Sequence, residues 1–351
     1  MRFLYLSALS FMFSFNLQAQ NYELWGMTSG GHPEDDYIDV LYDEGVIFSL
    51  GEDEANHEVH YSLRYQGRRP SLSTPTEASN GKFYCMTRFG GIYDDGVLYE
   101  YDKEFGHYRK LHDFQNVESG KEPFGSVYQA SDGKLYGATK QGGEHDHGVF
   151  FSYDLSNNTY TKLLDFLDDD YGKFPYGTPY EAQTGKLIGM TNSGGDFNQG
   201  VIYEYNIALG TFQVLLHFTS VDTGGHPRGD FIEANNGMLY GVTNDGGAAN
   251  HGVIFEYDAG NNLLTKIHDF DQLTTGQFPA CKMVQATNGR LYGTTSTGGT
   301  NNHGVLFEYD LSNGTFSNLF EFNSALTGEA PSGGLVQAEN GLLYGTTQYG
   351  G

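Results

Sequence analysis

Apolar and polar positions alternate in short bursts along the whole chain, and the bursts recur at a fixed interval. In Val253–Asp258 one parity carries Val253, Phe255 and Tyr257, and the other Ile254, Glu256 and Asp258. A period of two belongs to a strand that turns one face to a core. The same parity returns in Val97-Tyr99-Tyr101, Val149-Phe151-Tyr153, Val201-Tyr203-Tyr205 and Val305-Phe307-Tyr309. Around Val253 the order is a Gly-x-x-Pro turn (Gly224, Pro227), a strand A ending at Ala234, a turn at Gly237 and a strand B over Leu239–Thr243. A double glycine (Gly246-Gly247), a strand C over Gly252–Asp258, a turn at Asn261-Asn262 and a strand D over Leu264–Phe270 complete the repeat. Pairs such as Asp132-Gly133 and Asn288-Gly289 supply the left-handed positions of tight hairpins. No window keeps a helical period.

The strand B phrase gives the interval. It reads LWGMT at Leu24, FYCMT at Phe83, LYGAT at Leu135, LIGMT at Leu187, LYGVT at Leu239, and LYGTT at Leu291 and Leu343. The first spacing is 59 residues and the next five are 52. So strict a period makes each repeat one supersecondary block of fixed geometry. Four short antiparallel strands per block predict an all-β fold, a β-propeller of four-stranded blades with six to seven blades visible. A β-solenoid is the alternative, although its rungs are shorter and need no double glycine. The longer first repeat takes an insertion at 32–44. The chain begins at strand B of that repeat, with no strand A expected, and ends on Gly350-Gly351 inside a B–C loop. The expectation is a last blade cut short at the C-terminus.

Arg2, an apolar run from Phe3 to Phe15 and the small residue Ala19 read as a secretory signal peptide over 1–19. That run is 13 residues long, short of the about 20 that span a bilayer. The propeller domain is then 20–351, in a secreted or cell-surface protein with no transmembrane segment. Against 44 Asp+Glu stand 19 Lys+Arg, for a net charge of −25. Nucleic acid and anionic membranes are disfavoured as partners, because both need a basic footprint. The two cysteines, Cys85 and Cys281, stand where strand B and the segment before strand A elsewhere carry glycine, in repeats that are not neighbours, so no disulfide is expected.

The phrase LYGTTSTGGTNNHGVLFEYD at Leu291–Asp310 resembles the GloVer tandem repeat of exported bacterial proteins described as choice-of-anchor. The resemblance covers essentially everything after the leader. It implies export and a C-terminal anchoring or sorting domain, and it carries no established activity. The repeat also resembles a kelch blade, without the kelch tryptophan on strand D.

Candidate chemistry lies on the B–C and D–A loops, which share one end of each blade. Just before the Gly-Val of strand C stand Glu44, Asp95, His147, Gln199, His251 and His303. A metal or a sugar is one reading of that series and a structural turn the other; the spacing of neighbouring sheets, about 10 Å, is too wide for one zinc ion. His112, His217 and His268 on strand D, beside the recurring Asp113, Asp165, Asp269 and Glu321, read as structural. The D–A loops differ from repeat to repeat at Asp168-Asp169-Asp170, Tyr176, His226 and Arg228. Such mixtures suit glycans through stacking and hydrogen bonds. The candidate binding residues are therefore His147, His251, His303, Tyr176, His226 and Arg228, with no catalytic or metal residue assigned. Calcium at Asp94-Asp95 or Asp35-Asp36 is a further reading of those carboxylates, made without EF-hand spacing. The favoured reading is a non-enzymatic module that binds a polysaccharide or a surface protein. A glycan hydrolase or lyase and a structural spacer are the alternatives.

Overall fold

The computed structural model describes residues 14–18, 23–27, 46–50, 57–62 and 74–350, apart from 280, 332 and 339. The insertion at 32–44, with Asp35-Asp36 and Glu44, and most of the leader lie outside the described residues. Two compact bodies are present: Leu9–Asp165 with Ala338–Leu342 forms one, and the other holds Phe166–Gln337 and Leu343–Gly351.

Every sheet is antiparallel and takes its strands from consecutive sequence, as propeller blades do. In the first body, four-stranded sheets span Ser14–Ser62, Thr76–Asp113 and Tyr128–Asp165. In the second, a four-stranded sheet spans Tyr180–His217, five-stranded sheets span Gly225–Asp269 and Gln277–Glu321, and a pair joins Val336–Gln337 to Leu343–Tyr344. Strand A is short, two residues in most blades. The Gly-x-x-Pro segment, expected as a turn, pairs with an extended strand B in two blades, where Gly225 faces Asp245 and Gln277 faces Thr297. The first blade has the strand A that was expected to be missing: Ser14–Gln18 pairs with Glu23–Met27, inside the stretch read as a leader. The sequence Ser-Phe-Asn-Leu-Gln alternates there as a strand does.

Strand C is covered on both faces, not one. Val253, Ile254, Phe255 and Tyr257 are all fully buried. One parity faces the preceding blade and the other the following blade: Phe255 and Tyr257 pack with Ile188 and Ile202, while Ile254 packs with Phe307 and Tyr309. In the first body Leu98 meets Phe151 and Tyr153 in the same way, and Ile47 meets Tyr99 and Tyr101. The glycine inside LYG makes room for this layer, since a Cβ on Gly241 or Gly293 would lie 2.4 Å from the ring of Phe255 or Phe307. Where Cys85 replaces that glycine the thiol is buried, and burial pushes its pKa up to about 12. Both cysteines are free. A β-bulge recurs in all six C–D pairs, for example between Ile254 and Phe255, and sharpens each blade's twist at one height.

Candidate functional site

The B–C loop is held closed by side chains that accept backbone N–H groups. The second threonine of LYGTT is buried and takes the N–H of strand C through its Oγ1, as Thr191 does from Val201 at 3.1 Å and Thr243 from Val253 at 3.2 Å. Gly224 of the D–A loop lies against that hydroxyl, where a Cβ would meet Thr243 Oγ1 at 2.1 Å. The strand D acid then caps the residue after the double glycine: Asp113 accepts from Ile92 at 2.9 Å, Asp165 from Glu144 at 3.0 Å and Asp269 from Ala248 at 2.8 Å. His217 occupies the acid's position in the fourth blade, and its Nδ1 accepts the Asp196 N–H at 3.0 Å. The proton of a neutral His217 ring is therefore on Nε2.

The series before Gly-Val ties this loop to the D–A loop that follows. The carbonyls of Asp95, Gln199, His251 and His303 accept the N–H groups of Glu122, His226, Phe278 and Ala330 at 2.9, 2.9, 3.0 and 3.1 Å. All four donors have left-handed backbones, with φ of 52°, 50°, 56° and 52°. The side chains reinforce the tie. Asp95 Oδ2 accepts from Asn116 N–H at 2.9 Å, His251 Nδ1 from Gln272 N–H at 3.1 Å, and His303 Nδ1 lies 2.6 Å from Glu329. His147 is half-buried, its ring 6.4 Å from that of His145. Asp94 likewise accepts from Gly90 N–H at 2.8 Å, so Asp94 and Asp95 both face backbone donors. Among the described residues no three His, Cys, Asp or Glu side chains are grouped to hold a metal ion.

His112 and His268 are also part of the packing. Their rings lie flat on Tyr160 and Phe316 of the next blade, at 4.0 and 3.9 Å between centroids. Burial lowers the pKa of each to about 4.

What remains variable is the side chain borne by each D–A loop next to its proline. Here the structure brings two of the predicted residues, Tyr176 and Arg228, together from successive D–A loops and places His226 apart from them. Arg228 is exposed and its guanidinium carbon stands 5.5 Å from the centroid of the half-buried Tyr176 ring. His226, two residues earlier, lies 2.9 Å from Asp245 through Nδ1. Asp168, on a one-turn helix over Asp168–Tyr171, pairs with Lys173 at 2.7 Å. Sequence reasoning missed a second group in the first body: Arg88, Phe89, Glu122, Phe124 and Lys140. Arg88 bonds Glu122 at 2.6 Å and lies over two aromatic rings. Aligning the repeats on Gly-x-x-Pro would have singled out Phe124, which follows the proline as Tyr176 and Arg228 do, but not Arg88 or Lys140.

At the other end of the blades, an open pocket of about 580 Å³ is lined by Asn235, Asn236, Gln285, Asn288, Arg290 and Asp310. Several of these are turn residues with bonds to one another or to the turn backbone, such as Gln285 to Asn235 N–H at 2.8 Å and Arg290 to Asp310 at 3.1 Å.

A family model described as the Gloeobacter/Verrucomicrobia repeat matches residues 14–235 and 177–351. No curated protein matches the chain by sequence. Among solved structures, the extracellular domain assigned to a one-component system of B. thetaiotaomicron aligns with a TM-score of 0.66 at 13% identity, over 99% of this chain and 38% of that one. TolB from Acinetobacter baumannii aligns with a TM-score of 0.50 at 13% identity, over 83% of this chain and 62% of that one. The chain thus spans less than two thirds of either structure's length, and identities this low bear on the fold alone. No helix among the described residues is long and apolar enough to cross a membrane.

Proposed function

Because the chain belongs to the Gloeobacter/Verrucomicrobia repeat family, we propose that it is an exported β-propeller module that binds a polysaccharide without turning it over. Arg2 and the apolar run from Phe3 support export, although the leader expected over 1–19 overlaps strand A of the first blade at Ser14–Gln18. The observation that carries the binding reading is the Tyr176–Arg228 pair. A guanidinium lying over an aromatic ring holds its N–H donors in one plane for the hydroxyls or acids of a sugar, next to apolar surface that its C–H groups can meet. Its position supports the same reading, because it sits on loops whose backbone is held by repeated hydrogen bonds while the side chain changes from blade to blade.

Retention of the full chain on a panel of immobilised polysaccharides, with the eluate examined for soluble sugars, tests this proposal. Retention without products, weakened in Tyr176→Ala and Arg228→Ala, is the expected result. Soluble products whose release is lost in His251→Ala or His147→Ala would replace it with a glycan hydrolase or lyase. Absence of both retention and products would favour a spacer.

A further inference from the structure

Four of the six Lys and Arg residues between Phe166 and Gly351 pair with carboxylates: Lys173 with Asp168, Lys186 with Glu204, Lys266 with Asp269 and Arg290 with Glu308. The other two, Arg228 and Lys282, pair with no carboxylate among the described residues, and both are exposed. They stand on the same segment, between the D–A proline and strand A, in the fifth and sixth blades. The two segments touch. A Cβ on Gly229, next to Arg228, would lie 2.4 Å from Cys281 O and 3.6 Å from Lys282 N. On its other side Lys282 has Gly334, which carries no side chain to cover it.

Neither cation serves the fold as its counterparts do. One and two repeats before Lys282, Asp230 Oδ1 accepts the Thr178 N–H at 2.7 Å and Ser126 Oγ the Thr74 N–H at 2.6 Å, each tying a blade to the one before. An ammonium group has donors and no acceptor, so Lys282 cannot make that tie. Arg228 stands where earlier blades carry Phe124 and Tyr176, and its guanidinium lies over the Tyr176 ring at 5.5 Å. Asp230 is the carboxylate of this segment, with one oxygen already taken by Thr178, and Asp245 faces His226 at 2.9 Å. Arg228 and Lys282 thus set two positive charges against the one of Asp230.

We infer that Arg228 and Lys282 bind the anionic groups of an acidic polysaccharide. The inference rests on the polysaccharide reading above and names its class: a polymer bearing carboxylate or sulfate, not a neutral one. Arg228 offers a planar fork that no protein carboxylate occupies, and Lys282 a point charge from the neighbouring blade. The chain as a whole, at a net charge of −25, repels a polyanion at long range, so binding is short-ranged and confined to these two cations.

The test uses the full chain on columns of polygalacturonate, dextran sulfate and neutral dextran, at low and high salt. Arg228→Gln and Lys282→Gln are compared with Lys266→Gln, which removes a lysine paired with Asp269 at 3.0 Å on strand D. Expected is retention on an acidic polymer that falls with salt, and falls about tenfold in each of the first two variants and not in the third. Carboxylate and sulfate are told apart by which acidic column retains the protein more strongly. Lys282→Gln leaves the Arg228–Tyr176 contact intact, so its effect reads the anionic group and not the contact on which sugar binding was proposed. Equal retention on neutral and acidic polymers, unchanged retention in either variant, or an equal fall in Lys266→Gln overturns the inference and leaves polysaccharide binding standing. So does retention on none of the three columns but on a neutral polysaccharide of the wider panel, whereas retention on nothing removes both.

Discussion

The two ends of each blade are built to different rules. At the end with the A–B and C–D turns, the same polar lock recurs around a strand C glutamate. Glu308 takes Tyr292 at 2.5 Å and Arg290 at 2.6 Å, with Asn288 donating to Tyr292 at 2.7 Å. Glu100 takes Lys82, Arg109 and Tyr84, Glu204 takes Lys186 and Gln213, and Glu256 takes Tyr240. At the end with the B–C and D–A loops, the backbone bonds recur but the side chain after the proline does not: Phe124, Tyr176 and Arg228 follow one another. Repetition of side chains marks what the fold needs, and repetition of backbone under changing side chains marks where recognition has room to differ.

Acidification should probe the shared positions hardest. His112 and His268 have folded pKa values near 4, below the unfolded value of 6.5, so the fold holds them neutral. Stability is then untouched above about pH 6.5 and declines between there and about pH 4, by up to about 3 kcal/mol for each ring. Urea titrations across that range should show the decline, and His112→Phe should flatten its share of it. A steep decline that persists in the double His112→Phe, His268→Phe variant would assign the effect elsewhere.

Removing one lock comes next. Burial pushes the Glu100 carboxyl up, but Arg109 and Lys82 together hold it below the usual carboxylate range. Glu100→Ala leaves both cations and Tyr84 without their acceptor and should cost about 2 kcal/mol of unfolding free energy, with polysaccharide retention unchanged. Retention lost along with stability would blur the distinction between the two ends. Arg228→Ala should behave in the opposite sense, with stability within about 0.5 kcal/mol of the parent and retention reduced several-fold. The smallest effect belongs to His217→Asp, which restores the acid that other blades use to cap the B–C loop. A melting temperature close to the parent's is expected, and a large loss would show that the histidine does more than accept the Asp196 N–H.

Much of this was legible beforehand, in uneven parts. Strands B, C and D follow from alternation and from a glycine and threonine pattern that packing explains residue by residue. Burial of both faces of strand C was not legible, because Glu256 and Asp258 give that parity a polar appearance although Ile254 lies beneath the next blade. The one-turn helices at Asn116–Ser119 and Asp168–Tyr171 are too short to show a period. Tyr176 and Arg228 stood out as departures from the repeat, yet nothing in the sequence said that they touch. Arg88, Phe124 and Lys140 went unnoticed because each is ordinary in its own repeat and only packing between blades assembles them.

The left-handed residue before each D–A proline has a consequence for how such a chain can change. Glu122, Phe174, His226, Phe278 and Ala330 all hold φ between 50° and 58°, a conformation that costs an L residue roughly 1 kcal/mol or more. Four kinds of side chain (Glu, Phe, His and Ala) tolerate it at these five positions, so the strain is carried by the backbone and not by the identity of the residue. Each is a socket of one gauge: a substitution there alters what the loop presents without renegotiating how the loop is held. Grafting a side chain from one blade to the same place in another should therefore transplant its chemistry and keep its orientation.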